Sequence, residues 1–599
     1  MAVNFFLIFP NMYPVLLFLC LLSGRILLLC SRYFLDSPFG GPLVQDWDRF
    51  IPFQIVADIG AFAVICFVFT IIRMPKVAAC FLAFYMFLMG ADDECVRWMG
   101  SRFSLQFVSV YMLNLNTDFA LIGKIFMDGA VHFCITIGII VATTIAYIYK
   151  IRNFTEKTLG RRRLGILLMI FAVLAVTGLT SKYWLHPSEK RWYRIQPVGV
   201  NWMNEIYGSF FNTAKPQNYE KGIKLLGGNP ESEYPFWHEA DDSLAYLNFR
   251  ELPLDRKPNI IIFTIESMRG WYMDIRDSAT CANIPNLCEF SKTGLFFPEA
   301  HSVGYPSVEG ATGIHLGIYS HPRKVYLRNR KYEKTLSLPE ILGKAGYYKA
   351  LFTASEPSFD NLMPHYKDWF DYVEYDPKNN EDVPLANRVV QWLNEYDRDE
   401  PLLLNYVSVT SHMPFRLSKY SGFTNSQEYL QHVDPQMLLQ QKMPENLQER
   451  YRLIFRYVDS AIGILLKALS NSGRTNIIVI VGDHAVPEGY AGEPGPIDRT
   501  YTHIPIFISG NSVPKDSVDS RIVSQNRIAP TILDILKLDV GNHFVGKSLL
   551  QDSEGAVFTF RDGNYAVYNA ELDNADIKAA MESWQYVLDR NLLMPDSPK

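Results

Sequence analysis

The sequence contains no CxxC pair, so neither a zinc ribbon nor thioredoxin-like redox chemistry is indicated. Nor is there a broad excess of basic residues. A net charge of −5 with 20% charged residues argues against nucleic acid as a partner. Cysteine is scarce beyond the first third, where Cys281 and Cys288 stand alone. In an oxidising compartment these two could close a short loop, but their spacing leaves an unbonded pair equally open. The first apolar segment lacks a basic leader and is followed by four more, so a cleaved signal peptide fits poorly.

What the chain has in abundance is apolar sequence, concentrated in its first third. Five segments, 4–30, 53–72, 77–91, 127–148 and 164–185, approach the roughly 20 residues needed to cross a bilayer. Residues 1–185 are therefore expected to form a five-helix, multi-pass membrane domain. Loop charges orient it. The second loop carries Arg73 and Lys76, and the fourth carries Lys150, Arg152, Lys157, Arg161, Arg162 and Arg163. The other two loops are expected to hold acidic clusters such as Asp92, Asp93 and Glu94. Basic loops stay inside. This places the N-terminus in the cytoplasm and everything after the fifth span outside a cytoplasmic (inner) membrane. Burial of these segments as core helices of a soluble protein would not explain the alternation of loop charge.

Residues 186–256, rich in Trp, Tyr, Pro and Asn without clear periodicity, read as a juxtamembrane linker. From 257 to 599 the pattern changes to short apolar runs bounded by turns: 260–265, 347–353, 402–409, 476–481 and 504–509. Their length and Ile/Val/Phe content suit strands buried on both faces. Helical stretches at 336–345 and 449–470 alternate with them, predicting an α/β domain with a mainly parallel central sheet.

In such sheets ligands bind beyond the carboxyl ends of strands. Glu266-Ser267 follows the first run, Thr410-Ser411-His412 the third, and Gly482-Asp483-His484 the fourth. An Asp after a strand often caps a turn, and a lone His usually packs or solvates. Taken together, two carboxylates and two imidazoles converge as candidate metal ligands. Ser307 falls where a turn meets a helix predicted to end near Tyr319. There, free backbone N–H groups favour a phosphate, although the same position suits a simple helix cap.

The ordered set 257–267 (Lys-Pro-Asn-Ile-Ile-Ile-Phe-Thr-Ile-Glu-Ser), 304–309 (Gly-Tyr-Pro-Ser-Val-Glu), 410–415 (Thr-Ser-His-Met-Pro-Phe) and 482–484 (Gly-Asp-His) resembles the lipoteichoic acid synthase-like phosphoglycerol transferases. These form a branch of the alkaline phosphatase/sulfatase superfamily, and a five-span anchor before the catalytic domain matches that branch. The resemblance implies one divalent metal ion held by Glu266, Ser307, Asp483 and His484, with manganese favoured and zinc or magnesium also suited. It implies Ser307 as nucleophile, where relatives usually have Thr, and leaves Thr312 as the other candidate. His412 is implied in phosphate binding or proton transfer. The relatives' Trp and Arg that bind glycerol phosphate fall at Asp360 and Leu362, so Asp360 is a candidate substrate contact and the Arg is missing.

The implied activity is transfer of a phosphoglycerol-type head group from a phospholipid, phosphatidylglycerol first, to an envelope glycan or lipid acceptor. Phosphoethanolamine transfer, hydrolysis of a phosphodiester and an inactive lipid sensor are the competing expectations. Sulfate-ester chemistry through a formylglycine is disfavoured, because one register of the C/S-x-P-S-R motif puts Gly304 at the reactive position. The other register, from Ser307, lacks both the Pro and the Arg.

Overall fold

A computed structural model of the chain describes residues 13–34, 47–99, 103–105, 108, 130–152, 161–184, 196–211, 214–240, 257–328, 334–357, 361–377, 379–413, 415, 446–471, 473–486, 497–551, 555–561 and 563–596. The chain divides into two compact units, the first ending at Ala214 and the second beginning at Lys215.

The first unit is helical: α1 (Tyr13–Phe34), α2 (Trp47–Ile72), α3 (Pro75–Met99), α4 (Ala130–Arg152), α5 (Arg161–Leu179) and α6 (Val198–Phe211). Within α1–α5, the stretches 13–31, 53–72, 75–95, 130–152 and 162–179 are long and apolar enough to cross a membrane. Large apolar side chains such as Ile71, Val131 and Val173 point outward and are exposed, an arrangement suited to lipid and costly in water. Gly60 and Gly178 let α2 and α5 meet backbone to backbone, since a Cβ on Gly60 would stand 2.6 Å from the Leu179 nitrogen.

The third span corrects an expectation. Asp92, Asp93 and Glu94 lie inside α3 and are buried, rather than in a loop. Arg25 on α1 explains how they are tolerated. Its Nε lies 2.9 Å from Asp58 on α2, and its Nη1 lies 2.7 Å from Asp93. Glu94 pairs with His132 on α4. Charges this deep persist when paired, and removing one partner of such a pair typically costs about 3–5 kcal/mol.

The stretch 186–256, expected to be a linker, is shared between the units. Helix α6 belongs to the first, whereas α7 (Tyr219–Leu225) belongs to the second. Tyr219, Ile223 and Phe236 enter the second unit's core, with Phe236 edge-on to Trp584 at 5.2 Å. A single short helix and irregular backbone carry no sequence period, which is why this packing is invisible in the residue pattern.

The second unit is built on a sheet of β1 (Asn259–Ile265), β2 (Gly294–His301), β3 (Tyr348–Thr353), β4 (Tyr372–Glu374), β5 (Leu402–Val407), β6 (Asn476–Gly482), β7 (His503–Ser509), β8 (Ser517–Val518) and β9 (Val523–Ser524). The order is β4-β3-β5-β1-β6-β7-β2-β8, with β9 pairing β2. The five expected strands are all present. The half from β4 to β6 is parallel, whereas β7 pairs antiparallel with both β6 and β2. The sheet is thus mostly parallel but mixed. All seven residues of β1 are buried at its centre, which accounts for the unbroken Ile run. A two-stranded hairpin, β10 (Val557–Arg561) and β11 (Asn564–Tyr568), follows near the C-terminus. Cys281 and Cys288 are joined in a disulfide, with Cα atoms 5.6 Å apart.

Candidate active site

Because β1, β5 and β6 are adjacent and parallel, their carboxyl ends open side by side. Glu266 leaves β1, and Asp483 with His484 leaves β6. The Asp483 N–H donates to the Ile265 carbonyl at 3.0 Å, fixing the two exits in register. Glu266, Asp483 and His484 are buried and offer ligand atoms within 4.8 Å of one another. The third contributor arrives from another element. Helix α8 (Ser307–Leu316) begins at Ser307, whose Oγ donates to Glu266 Oε2 at 2.8 Å and lies 3.4 Å from His484 Nε2.

Gly310 allows this approach. A Cβ there would come within 2.8–2.9 Å of the Cβ, Cα and carbonyl oxygen of Asp483. Backbone cannot yield cheaply, so Gly310→Ala should push α8 away from Asp483 even though alanine is the better helix former by ~1 kcal/mol. The expected result is a fall in turnover of about 100-fold together with a lower thermal midpoint, read by steady-state kinetics and a melt.

The surrounding hydrogen bonds hold each ligand in place. His484 Nδ1 donates to the Ala485 carbonyl at 2.9 Å, which fixes the ring and leaves Nε2 facing Ser307. Ser267 Oγ donates to Glu266 Oε1 at 2.6 Å, and the N–H groups of Ser267 and His484 donate to Asp483 Oδ1 at 2.8 and 2.6 Å. Ser267 has φ +51°, a left-handed conformation that costs a non-glycine residue roughly 1–2 kcal/mol. These bonds and the one from the Tyr451 hydroxyl to its carbonyl hold it there. The Glu266 peptide is clamped from β5's exit: its N–H donates to Ser408 Oγ at 2.8 Å, and Ser411 Oγ donates to its carbonyl at 2.5 Å.

His412 follows on the same segment, is exposed, and bonds the Met413 carbonyl through Nδ1 at 2.7 Å. Asp382, at the start of α9 (Asp382–Glu395), accepts from the N–H groups of Val409 and Thr410 and so steadies the turn before His412. Burial nevertheless holds the Asp382 carboxyl above the ordinary carboxylate range.

The electrostatics of the cage ask for a cation. Burial and the neighbouring Glu266 charge push the Asp483 carboxyl well above its ordinary range. Burial also opposes ionisation of Glu266, but His412, His484 and the hydroxyls of Ser267 and Ser307 outweigh it and bring that group down. Two buried carboxylates, an imidazole lone pair and a hydroxyl form a donor set that fits a small divalent ion. His484 Nε2 stands 3.6 Å from both Glu266 Oε1 and Asp483 Oδ2, too far for hydrogen bonds. Such spacings suit ligands each ~2.1 Å from one shared ion.

The structure therefore brings together Glu266, Ser307, Asp483 and His484, with His412 on an adjoining turn. Thr312 is excluded from the cage, because it is fully buried within α8 and its hydroxyl donates to the Val308 carbonyl. Asp360 lies outside the described residues, and Leu362 is buried in the core. The sequence reading missed Asp382, Ser408 and Gln525. The last caps β6's exit by donating to the carbonyls of Gly482 and Asp483 at 2.7 and 3.1 Å. Ser408 directly follows β5, a position that could have flagged it; nothing local marks Gln525.

Residues 258–538 match the family model described as Sulfatase. No curated protein matches the chain. Among solved structures, a protein in the alkaline phosphatase superfamily from Vibrio parahaemolyticus is 16% identical, with 65% of this chain and 100% of that one covered and a TM-score of 0.49. The lipoteichoic acid synthase LtaP from Listeria monocytogenes is 16% identical, with 62% and 97% covered and a TM-score of 0.46. A phosphonate monoester hydrolase of Agrobacterium radiobacter is 20% identical, with 51% and 80% covered and a TM-score of 0.38.

Proposed function

Starting from a sulfatase-like domain carried behind five membrane-length helices, we propose that this protein is a metal-dependent phosphotransferase acting on a membrane phospholipid. It moves a phosphoglycerol-type head group, through a covalent intermediate on Ser307, to an envelope glycan or lipid acceptor. The observation that carries this reading is the Ser307 hydroxyl, seated 2.8 Å from Glu266 Oε2 in a buried carboxylate–imidazole cage.

Glu266, Asp483, His484 and Ser307 would hold one divalent ion, with manganese favoured over zinc or magnesium for this mixed O/N set. When bound, that ion stabilises the Ser307 alkoxide and the charge developing on the phosphoryl group. The residues supply the rest. The Ser307 proton passes to Glu266 Oε2, its hydrogen-bond acceptor, as Oγ bonds to phosphorus and the diacylglycerol oxygen leaves. His412 gives that oxygen a proton, then takes one from the acceptor hydroxyl as the acceptor displaces Ser307, whose oxygen recovers its proton from Glu266. The bond order at phosphorus is restored at the end of each half-reaction.

The α1–α5 anchor places enzyme and lipid in one membrane, raising the effective concentration of substrate. The orientation read from loop charge puts the second unit outside the cytoplasmic membrane, and the Cys281–Cys288 disulfide supports an oxidising compartment. Phosphatidylethanolamine is the second donor reading. It stays open because Leu362, aligned with the relatives' glycerol-phosphate-binding Arg, is an apolar buried side chain that offers no bidentate phosphate contact.

The full-length protein in vesicles of either phospholipid tests this. Phosphatidylglycerol should yield diacylglycerol with the head group recovered on an added acceptor. Head group recovered only as free glycerol phosphate would make the protein a hydrolase, and no diacylglycerol from either lipid would sink the reading.

A further inference from the structure

The β10–β11 hairpin lies beyond residue 538, outside the segment that matches the sulfatase model. It nonetheless grips the chain leading to Ser307, nearly residue by residue. The ring of Tyr568 stacks on His301 with centroids 3.7 Å apart. The Thr559 hydroxyl donates to the Ser302 carbonyl at 2.8 Å, and the Phe560 N–H donates to the Val303 carbonyl at 3.4 Å. The guanidinium of Arg561 lies over the ring of Tyr305, 3.5 Å from its centroid. That ring also stacks on Tyr501 at 4.6 Å and stands 6.2 Å from the His484 imidazole.

Such a run of contacts is more than cover. The segment 301–305 leaves β2 at His301, and the chain must deliver Ser307 to Glu266 across five residues, 302–306, that make no strand pairing. Its backbone is fixed from one side by the residue before β7, where the Ser302 N–H donates to the Thr502 carbonyl at 2.8 Å. From the other it is fixed by the hairpin. Tyr305, Thr559 and Arg561 are all buried, so these contacts are shielded from water, where a cation–π contact is worth most.

We propose that the hairpin is a positioning element for the nucleophile and that Arg561, acting through Tyr305, sets where Ser307 stands relative to the cage. This rests on Ser307 being the nucleophile and a metal ligand, as proposed above. Arg561 touches no reacting atom in this account. Its effect is on the geometry of the step rather than on substrate binding, because misplacing a reacting group by ~1 Å can cost about 100-fold.

The test uses the full-length protein in phosphatidylglycerol vesicles, with diacylglycerol release and a manganese titration as separate readouts. Arg561→Met should lower kcat about 10- to 100-fold, leave KM within about twofold, and weaken manganese binding about tenfold. Arg561→Lys, which keeps a cation over the ring, should recover most of the loss. A melt within a few degrees of wild type shows that the fold is intact. Should Arg561→Met not fold, Thr559→Val replaces it, deleting one hydroxyl without changing volume, and kcat should fall about threefold or more.

Wild-type kcat and manganese affinity in a folded Arg561→Met or Thr559→Val protein would overturn the inference, as would a Lys variant no better than Met. Ser307→Ala, run alongside, separates the two claims. If it keeps full activity, the parent reading fails. If it is inactive while the hairpin variants are not, only this inference fails. If wild type releases no diacylglycerol, the manganese titration alone judges the hairpin.

Discussion

Ser307→Ala is expected to reduce diacylglycerol release by at least about 10⁴-fold, the scale on which removal of a covalent nucleophile acts. The fold should be indifferent to the change. Ser307 opens α8, yet the residue before it makes no side-chain cap bond, and alanine is at home in a first helical turn. A thermal melt should therefore differ from wild type by no more than a few degrees. Thr312 offers no rescue, because its hydroxyl is buried and committed to the Val308 carbonyl. Ser307→Thr should retain measurable turnover, since it keeps the hydroxyl on the same carbon.

The second large effect concerns the cage. Chelation of divalent ions should abolish turnover, and added manganese should restore it in wild type. Glu266→Gln should lose about 10³-fold in activity and show no recovery at the manganese concentration that saturates wild type. The physical reason lies in the electrostatics of the cage: Glu266 and Asp483 are buried side by side, and burial together with the charge of Glu266 forces the Asp483 carboxyl upward. A cation relieves that conflict, so binding must also stabilise the fold. At about 100 times its Kd the ion should add ~2.7 kcal/mol, measured as a rise in the melting midpoint. A wild-type midpoint indifferent to manganese would count against the cage.

Much of this was legible in the sequence because strand ends are readable. Unbroken apolar runs locate β1, β5 and β6, and the polar residues directly after them are the ones a parallel sheet gathers at one edge. Ser307 was singled out for a different reason: it falls where a turn meets a helix, and the nucleophile role came from the resemblance of 304–309 to the transferase motif rather than from its local sequence. What stayed hidden depends on long-range contact. Gln525 reaches the Gly482 carbonyl from a separate 3₁₀ turn, and Asp382 holds the turn before His412 from the start of a helix. The β10–β11 hairpin carries ordinary strand residues, whose partners at 301–305 lie more than 250 positions away. The acidic triplet 92–94 misled in the opposite direction. Three consecutive acids read as a loop until Arg25, on another helix, supplies the counter-charge.

The central claim is a phosphoryl–head-group intermediate on Ser307, and peptide mass mapping tests it most directly. His412→Ala protein, in which proton removal from the acceptor hydroxyl is impaired, would be incubated with phosphatidylglycerol vesicles and manganese, quenched and digested. The account predicts a phosphoglycerol adduct on the peptide containing Ser307, absent from a Ser307→Ala control. An adduct on any other residue, or diacylglycerol released with Ser307 never modified, would contradict it.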